Sequence, residues 1–169
     1  MSALLPFVRF PHPALATAAS PRPVDRAMRA AGEQLLAAAE AARAYGLAAA
    51  HIGLDEPVVV VSVADDISRR DYRVMFNPRV VATGTEVEMG TEGSVSLPGI
   101  EVAIRRPVWA VIGYDTAVGE VMTERVEGFV ARCCLHEIEQ MNGVFFLSLL
   151  SRLKRDAVLR RYKKEQRAG

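Results

Sequence analysis

One segment constrains the fold more than any other: the stretch 127–142 predicts a helix whose inward face is partly polar. Phe129, Cys133, His136 and Gln140 follow one another at steps of four, three and four residues, so they share one face of the helix. A face that carries Phe and Cys is turned toward the interior. Its His and Gln must therefore meet hydrogen-bond partners or line a pocket.

The rest of the chain predicts one α+β domain. Asp25 is placed as the N-cap of an amphipathic helix from Arg26 to Tyr45, and Gly46 stands where a glycine ends a helix. Short segments rich in valine follow, joined by turns, which favours antiparallel strands, and Asn77-Pro78 is expected to close one of them. The strands are predicted at 57–63, 72–76, 80–81, 85–89, 101–104, 108–114 and 121–126. A last helix is predicted from about 151 to 166.

Composition limits the class of protein. The chain has 169 residues, of which 50% are hydrophobic and 24% charged, which is typical of one globular domain and not of a disordered chain. No apolar run approaches the ~20 residues of a membrane span. Cys133 and Cys134 are adjacent and cannot form a disulfide framework, and no signal peptide is evident. We expect a cytoplasmic protein without a membrane partner.

The two ends of the chain differ in character. Residues 1–23 contain five prolines and predict an extended arm over the surface. Residues 151–169 contain eight basic and two acidic side chains, a net charge of +6, in a chain whose total is +1. A basic helix over 151–167 is either a solvated amphipathic helix or a docking element for an acidic or RNA-rich partner. Sequence-specific DNA binding is not indicated.

His136 and Glu137 begin an incomplete metal-binding motif. A helical His-Glu-x-x-His places two imidazoles one turn apart on a metal ion, and its Glu takes a proton from metal-bound water. Here Gln140 stands in place of the second imidazole. Taken alone, a His-Glu pair on a helix indicates no more than a buried histidine with a hydrogen bond.

Two further segments accompany this helix. They are 46–53 (GLAAAHIG) and 92–99 (EGSVSLPG). With the helix, and in this order and spacing, they resemble the peptide deformylase family, which has a Gly-Leu-Ala-Ala-x-Gln segment, a Glu-Gly-Cys-Leu-Ser segment and a Gln-His-Glu-x-Asp-His helix. The resemblance covers nearly the whole chain. It implies antiparallel sheets around a central metal-binding helix, and removal of the formyl group from the N-terminal methionine of new polypeptides.

The metal ligands of the family are only partly retained. In the family, Fe(II), Zn or a similar ion is held by the Cys of the second segment and both His of the helix. The corresponding residues are Ser94, His136 and Gln140. A serine hydroxyl stays protonated near neutral pH, and an amide oxygen is a much weaker ligand than imidazole. The resemblance therefore implies that no metal is tightly bound, or that any ion present is Fe(II) or Zn.

Other site positions are implied by the same resemblance. Glu137 corresponds to the general base, and His51 replaces the Gln that hydrogen-bonds the formyl oxygen. The N–H of Val95 corresponds to a second donor to that oxygen. The methionine pocket is expected to be lined by 46–49 with Phe129 and Cys133. Arg105 lies near an arginine of many members, Leu135 replaces the Gln before the helical His, and Glu139 replaces an Asp.

Three functions remain open from the sequence. The first is a deformylase-like pseudoenzyme of protein biosynthesis that retains binding of the N-terminal peptide of nascent chains. The second is an active hydrolase of N-formyl peptides, or of a related amide, in which His51 and His136 hold an ion with help from Gln140 or Ser94, and Glu137 is the base. In the first case His51 is expected to hydrogen-bond Glu137 or Ser94. The third is a ribosome-associated protein that uses the helix 151–167.

Overall fold

The computed structural model describes residues 3–169, which form three α-helices and seven β-strands in an α+β arrangement. The helices are α1 (Arg26–Ala42), α2 (Gly128–Met141) and α3 (Arg152–Ala168). The strands are β1 (Gly46–Ala48), β2 (Val58–Ser62), β3 (Tyr72–Thr83), β4 (Val87–Ser94), β5 (Leu97–Pro107), β6 (Trp109–Asp115) and β7 (Val121–Glu127).

The strands form two antiparallel sheets. One has five strands in the order β1-β2-β3-β6-β7, and the other is the β4–β5 hairpin. The turn from β6 to β7 closes through hydrogen bonds between Thr116 and Glu120. The predicted α+β class, antiparallel pairing, central α2 helix and C-terminal helix are confirmed.

Strand β2 lies at the centre of the core. Val58, Val59, Val60 and Val61 are each 0% exposed. Because successive side chains of a strand point to opposite faces, Val58 and Val60 pack with α1, while Val59 and Val61 pack with α2. Each buried valine contributes about 1.5–3 kcal/mol relative to an exposed one. The valine run therefore joins the two helices through one strand.

The N-terminal arm crosses the segments that carry the motifs. Residues 1 and 2 lie outside the described part of the chain, and residues 3–23 are extended apart from a 3₁₀ turn at Pro13–Ala16. The Val8 amide donates to the His51 carbonyl, and the Phe10 amide donates to the Ser96 carbonyl. Further along, the Ala19 amide donates to the carbonyl of Met141. The arm thus connects all three motif segments through the backbone.

The end of α1 differs from the prediction. The helix ends at Ala42, because Arg43 adopts a left-handed conformation with φ of 51°. The hydroxyl of Tyr72 donates to the carbonyls exposed there, at 3.0 Å from that of Ala39 and 2.7 Å from that of Ala44. Gly46 does not cap the helix; it begins β1.

Asn77-Pro78 does not end a strand. β3 continues through it, so the strand predicted at 80–81 is part of β3. Asn77 has a φ of 48°, and the register with β6 shifts between Phe76 and Arg79. The Asn77 side chain donates to the Arg22 carbonyl at 2.7 Å and to Asp115 at 2.9 Å. A β-bulge, held by these bonds, replaces the predicted turn.

One smaller difference concerns the β4–β5 hairpin. β4 and β5 are longer than predicted and include the second motif segment, whose turn lies at Val95 and Ser96. Over residues 3–169, no helix has both the length and the apolar character needed to cross a bilayer.

Candidate functional site

A cavity of about 510 Å³ lies between β1, the β4–β5 hairpin and α2. Its outer wall is apolar and its floor carries the polar motif residues. Tyr45 and Phe129 meet edge to face at its rim, 4.8 Å between ring centroids. The lining residues are Ala44, Tyr45, Gly46, Leu47, His51, Ile67, Thr91, Glu92, Gly93, Ser94, Val95, Glu101, Phe129, Arg132, Cys133, His136 and Glu137. Ala48 and Ala49, also expected on this wall, are buried in the core instead.

His136 is held by the carboxylate of Glu92. Its Nδ1 lies 2.8 Å from Glu92 Oε1, and its Nε2 lies 3.5 Å from Glu137 Oε1. Burial disfavours the charged imidazole, but the hydrogen bond that His136 donates to Glu92 and the charge of Glu137 outweigh burial and raise the pKa of His136. Because a carboxylate only accepts, Nδ1 carries a proton and Nε2 faces Glu137.

Glu92 is the centre of a buried ionic network. Arg106 donates two hydrogen bonds to its carboxylate at 2.9 Å each, and Arg132 donates a third at 2.7 Å. Burial would raise the pKa of Glu92, but the bonds from Arg106 and His136 lower it to about 2. The arginine that β5 contributes to this network is Arg106. The sequence pointed to Arg105, whose exposed side chain lies on the other face of β5.

Glu137 is buried and incompletely partnered. It is 3% exposed, and its Oε2 has no hydrogen-bond partner within residues 3–169. Burial raises the pKa of Glu137 to about 7 against the opposing effect of His136. Gly46 lies against it, since a Cβ there would come 3.0 Å from Glu137 Cγ. Gly46 therefore allows β1 to approach α2 at the cavity floor.

His51 is a lining residue of the cavity with one unpartnered ring nitrogen. Its Nδ1 accepts a hydrogen bond from the Ala48 amide at 3.0 Å, which makes Nε2 the protonated nitrogen. Burial, with the charge of His136, lowers the pKa of His51 to about 3, so the ring is neutral. Nε2 finds no partner in residues 3–169. The expected bond to Glu137 or Ser94 is not formed, since the nearest carboxylate oxygen of Glu137 is 3.9 Å from Nδ1.

Ser94 ends β4, and Val95 and Ser96 form the turn to β5. The hydroxyl of Ser94 accepts a hydrogen bond from the Ser96 amide at 3.1 Å. The Val95 carbonyl accepts from Arg9 at 2.9 Å. Across the described part of the chain, the Val95 amide has no acceptor. Its N–H is therefore available to a ligand in the cavity that it lines.

Gln140 lies outside the cavity. It is 1% exposed, and its Nε2 donates to the Leu15 carbonyl of the N-terminal arm at 2.8 Å. Gln140 shares the α2 face with His136, as predicted, yet its amide connects the helix to the arm. At the position where the resemblance implies a metal ligand, this chain makes a structural contact.

The residues present do not fit the metal ion that the resemblance implies. Ser94 offers a neutral hydroxyl that accepts a backbone bond, and the Gln140 amide is bonded to Leu15. His51 retains one free nitrogen, but that nitrogen carries the proton. Over residues 3–169, no group of three or more His, Cys, Asp or Glu side chains is arranged to hold a metal ion. This donor set is far weaker than thiolate with two imidazoles.

The basic helix α3 is anchored by one buried side chain, Tyr162. Arg152 lies 4.0 Å from Asp156, and Arg161 lies 3.2 Å from Glu165. No carboxylate of residues 3–169 pairs with the exposed side chains of Lys154, Arg160, Lys163 and Lys164. These four side chains give α3 a solvent-facing positive charge.

Comparison with known proteins agrees with this fold. The family model for polypeptide deformylase matches residues 4–156, and the chain belongs to that family. A "Peptide deformylase-like" protein of Rhizobium meliloti is 37% identical over 167 residues, 98% of this chain and 95% of the relative. A "Peptide deformylase" of the same organism is 32% identical and covers 94% of this chain and 92% of its own length. The crystal structure of peptide deformylase from Ehrlichia chaffeensis in complex with actinonin has a TM-score of 0.88 at 29% identity, covering 98% and 99% of the two chains.

Proposed function

We propose that this deformylase-family protein binds the formylated N-terminus of a polypeptide in its cavity and does not catalyse metal-dependent deformylation. The observation that carries the proposal is the position of Gln140, whose amide is bonded to Leu15 outside the cavity. With Ser94 in place of a thiolate, His136 is the one strong ligand left of three. Without an ion, Glu137 has no water of lowered pKa to deprotonate.

The cavity floor supports binding of an acylated amine. His51 Nε2–H and the Val95 N–H are donors that need an acceptor, and a formyl oxygen supplies one. Glu137 Oε2 is an acceptor that the N–H of the same amide can satisfy. A free ammonium group has three donors and no acceptor, so it leaves both protein donors unpaired. The formylated peptide should therefore bind more tightly than the free amine.

The cavity wall supports an unbranched apolar side chain beside that amide. Leu47 and Phe129 lie on one wall, and Cys133 adds a small apolar surface next to them. Burial raises the pKa of the Cys133 thiol far above neutrality, so this residue acts as an uncharged hydrophobe. A cavity of about 510 Å³ has room for a methionine side chain and its flanking backbone.

Peptide binding is tested with two peptides and one assay for turnover. Calorimetry with N-formyl-Met-Ala-Ser should give measurable binding, at least about tenfold tighter than with Met-Ala-Ser, because two buried donors gain a partner. Incubation of the formyl peptide with the protein and added Fe(II), Ni(II) or Co(II) should release no formate above the metal-only control. Steady formate release that is abolished by Glu137→Ala would support the rebuilt metal site instead.

Variants of His51 separate recognition from folding. His51→Leu removes the donor and should weaken formyl-peptide binding about tenfold while leaving Met-Ala-Ser binding unchanged. His51→Gln keeps a donor of similar reach and should retain most of the affinity. Equal binding of both peptides by the wild-type protein would contradict the proposed ligand chemistry, whatever the turnover assay shows.

The positive charge of α3 supports encounter with nascent chains at the ribosome, within the cytoplasm. Deleting the helix would remove the buried Tyr162, so charge substitution is the cleaner test. Replacing Arg160, Lys163 and Lys164 by Gln should reduce co-sedimentation with ribosomes at low salt and leave peptide binding intact. Co-sedimentation that does not change with this substitution or with salt would rule out this role for α3.

A further inference from the structure

The β4–β5 hairpin stands apart from the main sheet, and little apolar surface holds its first strand. β4 pairs with β5 alone. Seven of the eight residues of β4 are exposed or half-buried, and the one buried residue is Glu92. β5 does contribute Leu97, Ile100 and Ile104 to a core cluster. β4 is therefore attached to the body of the protein through its pairing with β5 and through polar contacts.

Arg132 of α2 supplies those contacts. Its Nη1 donates to Glu92 Oε2 and to the Ile104 carbonyl, both at 2.7 Å, and its Nη2 donates to the Glu88 carbonyl at 3.0 Å. A longer bond of 3.4 Å reaches the Gly90 carbonyl. One guanidinium on α2 thus binds both strands of the hairpin, and Arg132 is only 6% exposed.

The backbone of β4 is shaped for this side chain. A Cβ at Gly90 would lie 2.6 Å from the guanidinium carbon of Arg132, so a larger residue there would displace the guanidinium. Both buried arginines are paired, because Arg106 and Arg132 contact Glu92 and Arg106 also lies 2.7 Å from Glu139. Buried charges are tolerated when they are paired with opposite charges in this way.

We infer that Arg132 attaches the β4–β5 hairpin to α2. In this chain it replaces the connection that a metal ion bound by both elements would make. Ser94 lies on β4, and His136 and Gln140 lie on α2, so an ion held by those three positions would tie the hairpin to the helix. The residues present do not fit an ion. The guanidinium of Arg132 connects the two elements instead, and the hairpin that forms the cavity wall is attached to α2 without metal.

Hydrogen exchange followed by mass spectrometry tests this tie, because it measures the hairpin separately from the main sheet. Arg132→Met should speed exchange of β4 amides at least tenfold while β2 amides change by less than twofold. The matched control is Arg125→Met, which removes an exposed arginine that stacks on Trp109 and pairs with Glu127. That control should leave β4 exchange unchanged.

Two further measurements keep the inference open to refutation. If Arg132→Met does not fold, Arg132→Lys keeps the charge but loses the branched donors, and Gly90→Ala displaces the guanidinium; both should show the same local effect. EDTA should leave the midpoint of wild-type thermal unfolding unchanged. Three results would each overturn the inference. They are an unaltered exchange rate of β4 amides in the arginine variants, an equal rise in the exchange rates of β2 and β4 amides, and a fall of several degrees in the unfolding midpoint when EDTA is added.

Discussion

The β1 side of the candidate site differs from the side formed by β4 and α2 in how the motif residues are bonded. On the β1 side, Gly46 lets the strand approach α2, and His51 Nε2 is left without a partner within residues 3–169. On the side of β4 and α2, Ser94 and Gln140 are bonded to the protein's own backbone. Under the proposed function, the cavity shape that would receive a peptide and the side chains that would hold an ion are separable properties of one site.

The largest expected effect comes from restoring the ion-holding side. The triple variant Ser94→Cys, Gln140→His, His51→Gln should bind about one metal ion per chain and deformylate N-formyl-Met-Ala-Ser at least about 1,000-fold faster than wild type. The reason is that a thiolate and two imidazoles supply the ~10 kcal/mol or more typical of a tight zinc site. Elemental analysis and formate release with added Fe(II) measure both quantities.

A fourth substitution controls that experiment. Adding Glu137→Ala to the triple variant should retain the metal and abolish the gain in turnover, because the base is gone. If the triple variant binds metal without any gain in turnover, the β1 side has also lost its ability to place the peptide. The separation of the two sides would then be wrong.

The next largest effect is expected from the buried ionic network around Glu92. Glu92→Gln leaves Arg106 and Arg132 without their shared carboxylate and should lower the free energy of unfolding by about 3–5 kcal/mol, the cost of a broken buried ion pair. Urea unfolding measures it. The matched control is Glu101→Gln, at an exposed position on the cavity lining, which should change stability by less than about 0.5 kcal/mol. Equal effects of the two variants would show that the network does not support the wall.

The β1 side should respond to pH through His51. The pKa of His51 is lowered by burial to about 3 in the folded protein, against about 6.5 in the unfolded chain. His51 therefore binds a proton in the unfolded chain and not in the folded protein. As a result, the free energy of unfolding falls as pH decreases below about 6.5. At pH 5 this costs about 2 kcal/mol relative to pH 7.5.

His51→Gln measures that contribution, because glutamine does not titrate in this range. The difference in unfolding free energy between wild type and variant should shift in favour of the variant as pH falls from 7.5 to 5. A difference that stays constant over this range would mean that His51 is not held neutral by burial.

Much of the fold followed from the sequence because its signals are local. The valine run, the Asp25 N-cap and the spacing of the α2 face each depend on neighbours a few residues away. The turn predicted at Asn77-Pro78 is wrong, because the bulge found there is stabilised by contacts with Arg22 and Asp115, which are distant in sequence. Pattern alone does not distinguish a bulge from a turn at such a pair.

The candidate site was less predictable for the same reason. Arg105 and Arg106 are adjacent, and which of them is buried depends on the register of β5 against β4. Arg132 precedes His136 by one helical turn, and this spacing indicates that the two residues share a face of α2. The contacts of Arg132, however, depend on where the β4–β5 hairpin lies, which the spacing does not give. The bond from Gln140 to Leu15 joins residues 125 apart and requires the path of the N-terminal arm.

The smallest expected effect decides what Ser94 does. Its hydroxyl accepts one backbone bond within a two-residue turn, so Ser94→Ala should lower the free energy of unfolding by about 1 kcal/mol or less. Formyl-peptide affinity, measured by calorimetry, should stay within twofold, because the Val95 amide and His51 remain. A serine that served as a metal ligand would behave differently, since its loss would reduce metal content and any turnover with it. A large effect of removing this one hydroxyl on peptide binding or metal content would mean that Ser94 contacts the peptide or the metal ion.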